Sequence, residues 1–198
     1  MVALAVKRLL DVVGALVLLV FAFPLMLWAM RAIRQDSPGG AIFRQVRIGQ
    51  YGRPFVLYKL RTMRLGAERA WTPPSREDFD AYVFQDPDDD RVTPIGRFLR
   101  RASLDELPEL INVLKGEMSL VGPRPDVPEM VALYRPFMER RHRLKPGLTG
   151  LAQVSGRGSL TTGEIMAYDL QYCDRWSLWL DFWILVQTVR QLYASPGR

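Results

Sequence analysis

The feature that most constrains this chain is a stretch of about nineteen residues, Val12 to Met30, that contains no charge. A helix of about 20 apolar residues is long enough to cross a bilayer. Lys7 and Arg8 precede the stretch, and Arg31 and Arg34 follow it. A spanning helix shows cationic bias on one side only, whereas here both ends favour the cytoplasmic face. Pro24 falls in the middle, where it removes one backbone hydrogen bond and blocks another, so the helix should kink there. These residues predict a re-entrant helical hairpin over 1–36, entering and leaving by one leaflet, with a cytoplasmic-face body over 37–198. An ordinary spanning helix with a proline kink stays open as the alternative. The apolar part is long for a signal-peptide h-region, and no A-x-A cleavage site follows it.

Composition narrows the classes. A length of 198 residues allows one compact domain with an appendage, and 48% apolar residues can furnish a core, which argues against disorder. The net charge of +6 and pI near 9.8 suit partners that carry phosphate: nucleic acid, anionic lipid or nucleotide. Cys173 is the single cysteine, which excludes an intramolecular disulfide and a cysteine-based metal cluster. His142 is the single histidine, inside Arg140-Arg141-His142-Arg143, where it reads as solvated or phosphate-facing rather than as half of a Ser-His or Cys-His engine.

The turn cluster Gln35 to Gly40 ends the first helix. Ala41 to Ile48 and Phe55 to Arg61 read as strands joined across Gly49-Gln50-Tyr51-Gly52, a hairpin with a longer loop. Lys59 and Arg61 alternate at the end of the second strand, so they face one way and suit a phosphate; an exposed basic edge is the plain alternative. Leu65 to Ala70 reads as a helical turn, and Trp71 to Arg91 as a polar loop. The acidic run Asp86-Pro87-Asp88-Asp89-Asp90 superficially suggests a magnesium motif, but proline breaks the helical spacing and a solvated charge run is the better reading. Thr93 and Pro94 mark a helix start, running to about Arg101.

The segment Arg100 to Pro125, RRASLDELPELINVLKGEMSLVGPRP, is the chemical centre. Ser103 is placed to cap a helix starting near Asp105, with Glu106 completing a capping box. A helix start gathers anions, and arginines flank it: Arg100 and Arg101 before, Arg124 after. Carboxylates held there suit phosphoryl transfer through an aspartyl intermediate; a capped helix with surface arginines is the plain alternative. Gly116 stops the helix. Glu129 to Arg143 reads as a helix interrupted at Pro136. The glycine-rich Lys145 to Gly158, with Gln153 and Arg157, can bring N–H groups and a guanidinium to a phosphate, though it lacks the Lys-Ser/Thr ending of a P-loop. Ile165 to Trp176 reads as a helix carrying Tyr168, Asp169 and Tyr172. Trp176 to Tyr193, with Trp176, Trp179 and Trp183, reads as an interfacial amphipathic helix or a core helix. The fold class is α+β, mainly helical, with one small hairpin and several short amphipathic helices at the membrane interface.

Taken together, KRLLDVVGA with Pro24, YKLRTM, GRFLRRASLDELPELINVLKGEMSLVGPRP, LKPGLTGLAQVSGRG, YDLQYCDRWS and LDFWILVQTV resemble the bacterial sugar transferases. These are the monotopic phosphoglycosyl transferases that start glycan assembly on undecaprenyl phosphate, and the chain is similar to their small members. The resemblance implies that Asp105-Glu106 is the catalytic dyad. Asp105 would attack the β-phosphate of a UDP-sugar and expel UMP, and polyprenol phosphate would then take the sugar phosphate. It implies a Mg2+ requirement, with Asp105 and Glu106 as its ligands and Glu106 acting either there or as a base. By motif, Lys59, Arg61, Arg100, Arg124 and Arg157 become phosphate contacts, and Gln153 and Asp169 further polar positions of the site. The implied partners are a UDP-sugar, polyprenol phosphate and membrane lipid at the cytoplasmic face of the inner membrane. Small family members often carry a serine before the helix-breaking proline; here Phe23 offers no hydroxyl to a carbonyl freed by the kink. No motif supports a nucleic-acid binder, because basic residues beside a membrane segment are expected on anionic lipid. A scaffold that lost the chemistry is disfavoured by the intact dyad and arginines.

Overall fold

The computed structural model describes residues 2–67, 71–84 and 89–194. Of the acidic run, Asp86, Pro87 and Asp88 lie outside the described residues, as do the last three residues of the expected turn at 65–70.

The first helix, α1, runs from Val2 to Asp36 as one element with Pro24 inside it. At 1.5 Å per residue it is about 50 Å long. Only one stripe of it is buried: Lys7, Asp11, Ala15, Ala22, Met26, Ala29 and Ile33. These recur at helical spacing, and three are alanines seven residues apart, which lets the backbone lie close to its neighbours. Gly14 belongs to the same approach, since a Cβ there would sit 2.7 Å from Leu120 Cδ1. The remaining faces stay apolar and exposed, including Leu9, Val13, Val17, Phe21 and Phe23.

Both ends of α1 are tied to the same body. At the start, the Lys7 ammonium donates to Asp181 Oδ2 at 2.6 Å and to the Val121 carbonyl at 3.0 Å. Arg8 donates to the carbonyls of Val113 and Leu114 at 2.6 and 2.9 Å. Asp11 accepts from Ser119 Oγ and the Leu120 N–H, both at 2.9 Å. At the far end, Ala29 and Ile33 pack with Ala41, Leu60 and Leu99. The first cationic flank is therefore engaged inside the protein. Lys7 is in a buried ion pair, and Arg8 satisfies carbonyls at the end of the helix Glu109–Lys115, which carry the negative end of that helix dipole.

The hairpin forms as read from the sequence: β1 (Ile42–Ile48) and β2 (Pro54–Leu60) pair antiparallel, with Ile42 opposite Leu60 and Ile48 opposite Pro54. Tyr51 and Gly52 turn the chain with φ of 57° and 72°. Helix α2 (Pro94–Arg101) has Thr93 as its N-cap, accepting from the Gly96 N–H at 3.1 Å, and proline at its start. Helix α3 (Glu109–Lys115) stops at Gly116, φ 82°. Short strands β3 (Ser119–Val121) and β4 (Gly147–Thr149) pair in parallel. The helix expected over 129–143 with an interruption at Pro136 is broken ahead of that residue: a short α4 (Pro128–Val131) precedes it, and the piece that starts at it, Pro136–Arg143, is 3-10 rather than α. Helix α5 (Leu151–Gly156) leads through a 3-10 turn into α6 (Thr162–Arg175), which opens on a capping box between Thr161 and Glu164. Helix α7 (Leu178–Ala194) closes the described chain. Its Ile184 and Asp181 are buried while Trp179, Phe182 and Trp183 are exposed. It therefore has both a core face and an apolar outer face. Trp176 belongs to the inner side, its indole N–H donating to Asp181 at 3.2 Å.

Glycines at 122, 147 and 150 are where the β3–β4 region closes on itself. A Cβ on Gly147 would lie 2.0 Å from Gly122 N, and one on Gly150 would lie 2.2 Å from Gly122 O. The Gly122 N–H is bonded to Thr149 O and the Gly147 N–H to Pro123 O, each at 2.9 Å. The glycines of this segment therefore serve backbone-to-backbone contact, and the N–H groups at 122 and 147 are not turned toward a phosphate.

Candidate active site

Asp105 and Glu106 sit on a 3-10 turn, Leu104–Glu106, just before α3. The expected capping box is absent. Ser103 adopts the left-handed conformation, φ 55° and ψ 24°, and makes no cap hydrogen bond. A residue with a Cβ resists that conformation by about 1–2 kcal/mol, so the dyad is presented by a strained corner rather than by a relaxed helix start. The regular helix begins four residues after Asp105, at Glu109, with Pro108 filling the position before it.

Asn112, fully buried on α3, fixes this turn against the hairpin. Its carbonyl accepts from the Tyr58 N–H at 3.1 Å, and its NH2 donates to Val56 O and Glu117 Oε2, each at 2.7 Å. That docking sets Lys59, the next residue of β2, against the carboxylates. The Lys59 ammonium donates to Glu106 Oε1 at 2.7 Å and lies 3.2 Å from Glu109 Oε1. Arg124, on the loop after β3, donates to the same Glu106 oxygen at 3.2 Å. Arg100, at the end of α2, donates from Nε to Thr62 Oγ1 at 2.9 Å, and its charge acts on Asp105.

The two dyad carboxylates are not equivalent. Burial pushes the Glu106 carboxyl up, but Lys59 and Arg124 outweigh it and hold the pKa down at about 2. Asp105 is shifted the other way: burial raises it, Lys59 opposes, and the neighbouring Glu106 charge adds to the rise. Among the described residues Asp105 has no hydrogen-bond or ion-pair partner. Two acids whose surroundings drive their pKa values apart are suited to different tasks: Glu106 is pinned and ionised, and Asp105 is free to reach a substrate.

Sequence reasoning missed Glu109. It is 3% exposed, and burial pushes its pKa to about 7 against the pull of Lys59. Its position one helical turn after Glu106 was the available signal, since residues three apart share a helix face.

Of the other expected contacts, three are placed elsewhere. Arg61 is buried and donates to the carbonyls of Ser37 (2.8 Å) and Pro38, clamping the chain where it leaves α1. It therefore does not reach the dyad with Lys59, because the strand ends at Leu60 and the alternation of faces ends with it. Asp169 is fully buried on α6 and paired with the Arg141 guanidinium, with burial raising its pKa to about 6. Gln153 lies on α5; its amide nitrogen and oxygen are both buried without a hydrogen-bond partner among the described residues, so it touches neither dyad carboxylate. Arg157 begins the 3-10 turn after α5, and its side chain lies outside the described residues. His142 is half-buried and stacked on Tyr134 with ring centroids 5.7 Å apart, rather than solvated. Within the basic run Arg141 is buried and Arg140 pairs with Asp174 at 3.4 Å.

No group of three or more His, Cys, Asp or Glu side chains among the described residues forms a metal cage. Mg2+ bound beside a phosphate needs less, one or two carboxylates with the rest from phosphate and water. Among the described residues, Asp105 without a partner and a Glu106 whose ion pairs use Oε1 fit that donor set.

Comparison with known proteins places the chain in a family. The family described as bacterial sugar transferase matches residues 2–195. The chain is 47% identical over 199 residues to the UDP-glucose:undecaprenyl-phosphate glucose-1-phosphate transferase of Caulobacter vibrioides, covering 96% of this chain and 71% of that protein. It is 40% identical to an uncharacterised sugar transferase of Bacillus subtilis, covering 96% of this chain and 89% of that one. It is 38% identical to the undecaprenyl-phosphate galactose phosphotransferase of Salmonella typhimurium, covering 96% of this chain and 41% of the relative. The chain belongs to the bacterial sugar transferase family.

Proposed function

We propose that the protein transfers a sugar-1-phosphate from a UDP-sugar to undecaprenyl phosphate through a covalent aspartyl intermediate. The observation that carries this reading is the contrast within the dyad: an Asp105 without a hydrogen-bond or ion-pair partner among the described residues, beside a Glu106 held by Lys59 and Arg124. An Asp105 oxygen attacks the β-phosphorus, the bond to the bridging oxygen breaks, and UMP leaves with the electron pair. An oxygen of the lipid phosphate then attacks the same phosphorus, the bond to Asp105 breaks, and the carboxylate is restored. Phosphoryl transfer depends on positioning and on cations around the phosphorus more than on acid–base power. Lys59, Arg100 and Arg124 provide such cations, and arginine forks match phosphate oxygens.

Asp105 and Glu106 would hold Mg2+, which supplies charge neutralisation at the diphosphate. This fits a Glu106 that stays ionised and keeps Oε2 outside its ion pairs. A Mg2+ requirement is checked by activity in EDTA and its recovery on adding the ion.

The stripe on α1 supports a membrane arrangement in which both ends of the helix stay on one side. The longest interval between its buried positions is Ala15 to Ala22, far short of the ~20 residues a crossing needs. A helix bound along its length to the body cannot traverse a bilayer while the body stays outside. It can enter the headgroup side of one leaflet, with its exposed apolar faces in the lipid. Together with the outer face of α7 this would hold the dyad near the lipid phosphate, at the cytoplasmic face of the membrane.

The decisive test is UMP release from UDP-glucose and UDP-galactose with undecaprenyl phosphate, by protein in detergent or nanodiscs. Wild type should release UMP, and Asp105→Asn should lose activity by orders of magnitude. With donor alone, intact mass should rise by one hexose phosphate in wild type and not in Asp105→Asn. Near-normal turnover by Asp105→Asn would sink the assignment of the nucleophile.

A further inference from the structure

Arg124 sits on a loop that is held carbonyl by carbonyl. The four consecutive carbonyls from Pro123 to Asp126 each accept a hydrogen bond, from donors in three parts of the chain: β1, the 3-10 stretch Pro136–Arg143 and β4. Pro123 O accepts from the Gly147 N–H at 2.9 Å and Asp126 O from the Ile48 N–H at 2.9 Å. Arg124 O accepts from Arg141 Nη2 at 2.6 Å, and Pro125 O from Arg47 Nη1 at 2.9 Å. Backbone carbonyls of an irregular loop commonly face water. Here two guanidinium groups are turned onto the carbonyl of a third arginine and the carbonyl that follows it.

Arg141 is 2% exposed and is itself fixed on three further groups: Asp126 Oδ2 at 2.5 Å, the Tyr134 hydroxyl and Asp169. Tyr134 also donates to Asp126 at 2.5 Å. Arg47 is anchored by Gln45 Oε1 at 2.7 Å. Neither arginine is hydrogen-bonded to a dyad carboxylate; their contacts reach the site through the loop they hold, and Arg47 adds the influence of its charge on Glu106 and Arg124.

We infer that Arg47 and Arg141 are positioning residues that set the guanidinium of Arg124 against Glu106 and the incoming phosphate, and that buried Asp169 belongs to this clamp. The inference rests on the proposed role of Arg124 in binding phosphate. Misplacing a phosphate-binding group by about 1 Å can cost roughly a hundredfold.

A double-mutant cycle tests it, because residues that act through one another are non-additive. Arg47→Gln, Arg141→Gln and Arg124→Ala are measured singly, and each of the first two is combined with the third, with kcat and KM for the UDP-sugar read by UMP release. Arg47 lies on a strand edge, so its variant retains a usable fold where Arg141→Gln does not; thermal unfolding in detergent identifies that case, and the cycle then stands on Arg47 alone. The expected result is a loss in kcat/KM of roughly ten- to hundredfold for each clamp variant, shrinking to less than about twofold in the Arg124→Ala background. A loss that persists undiminished in that background, with Arg124→Ala itself impaired, overturns the inference and leaves the reading of Arg124 intact. Full activity of Arg124→Ala defeats that reading, and with it the inference.

Discussion

At the scale of single residues, the site turns on how one lysine is shared. Lys59 lies between Glu106 and Glu109, and burial, which alone would lower its pKa, is overcome by the two carboxylates. Lys59→Met would leave Glu109 without its cation and Glu106 with Arg124 alone, and breaking a buried pair in this way costs about 3–5 kcal/mol; a lowered unfolding midpoint in detergent checks it. Glu109 gives a sharper test. Its pKa rises from 4.5 to about 7 on folding, so between those values the folded state binds more protons than the unfolded. Stability from this group is then complete below pH 4.5 and falls as pH rises to 7. Glu106 shifts downward and titrates below that window. Asp169, raised to about 6, contributes the same slope with or without Glu109. Glu109→Gln should therefore lose less stability between pH 5 and pH 8 than wild type does, measured by denaturant unfolding. Equal slopes would show that Glu109 is not the buried titrating group.

Among the elements, the contact between α3 and β2 carries the most weight, because it joins Lys59 to the carboxylates across about fifty residues of chain. Asn112 makes two of its side-chain hydrogen bonds there, with Tyr58 and Val56, and a third to Glu117. Asn112→Ala should destabilise the protein by about 2–4 kcal/mol, through the buried partners left unpaired. It should also lower turnover even at temperatures where the variant stays folded; turnover equal to wild type would mean that the contact does not position the site. Asn112 also shows what a sequence reveals. Elements announced by local chemistry were readable: the hairpin from its alternation and turn, α2 from Thr93 and Pro94, the end of α3 from Gly116. The dyad with Lys59 and Arg124 was readable too, because charged residues in distinctive motifs name their own chemistry. The orientation of polar groups toward partners far along the chain was not. Nothing near Arg61 says that its partners are the carbonyls of Ser37 and Pro38 rather than a phosphate, and nothing near Asp169 announces Arg141. Ser103 had the composition of an N-cap, but tertiary packing put it in the left-handed region instead. The glycines at 122, 147 and 150 could serve either a phosphate or another backbone, and only the pairing of β3 with β4 distinguishes the two.

For the whole molecule, the question is how a body with a polar site is held against a lipid. The exposed apolar faces of α1 and α7 are too extensive for a monomer in water, where contiguous patches above a few hundred Å2 mark an interaction surface. Lipid is the host proposed here, and the fastening of α1 decides the geometry. Lys7 with Asp181 and Asp11 with Ser119 hold its beginning, and Ile33 with Leu99 holds its end. On the proposed reading, whichever side of the membrane receives the body receives both ends of the helix. This can be tested in a Cys173→Ser background by placing single cysteines at Ala3 and Gln35, which are exposed and precede and follow the apolar stretch. Both should resist a membrane-impermeant thiol reagent in intact cells and react in inverted membrane vesicles. Labelling of the Ala3 position alone in intact cells would mean a crossing. That would require Lys7 and Asp11 to leave their partners on the body, stranding Asp181 without its cation at a cost of about 3–5 kcal/mol.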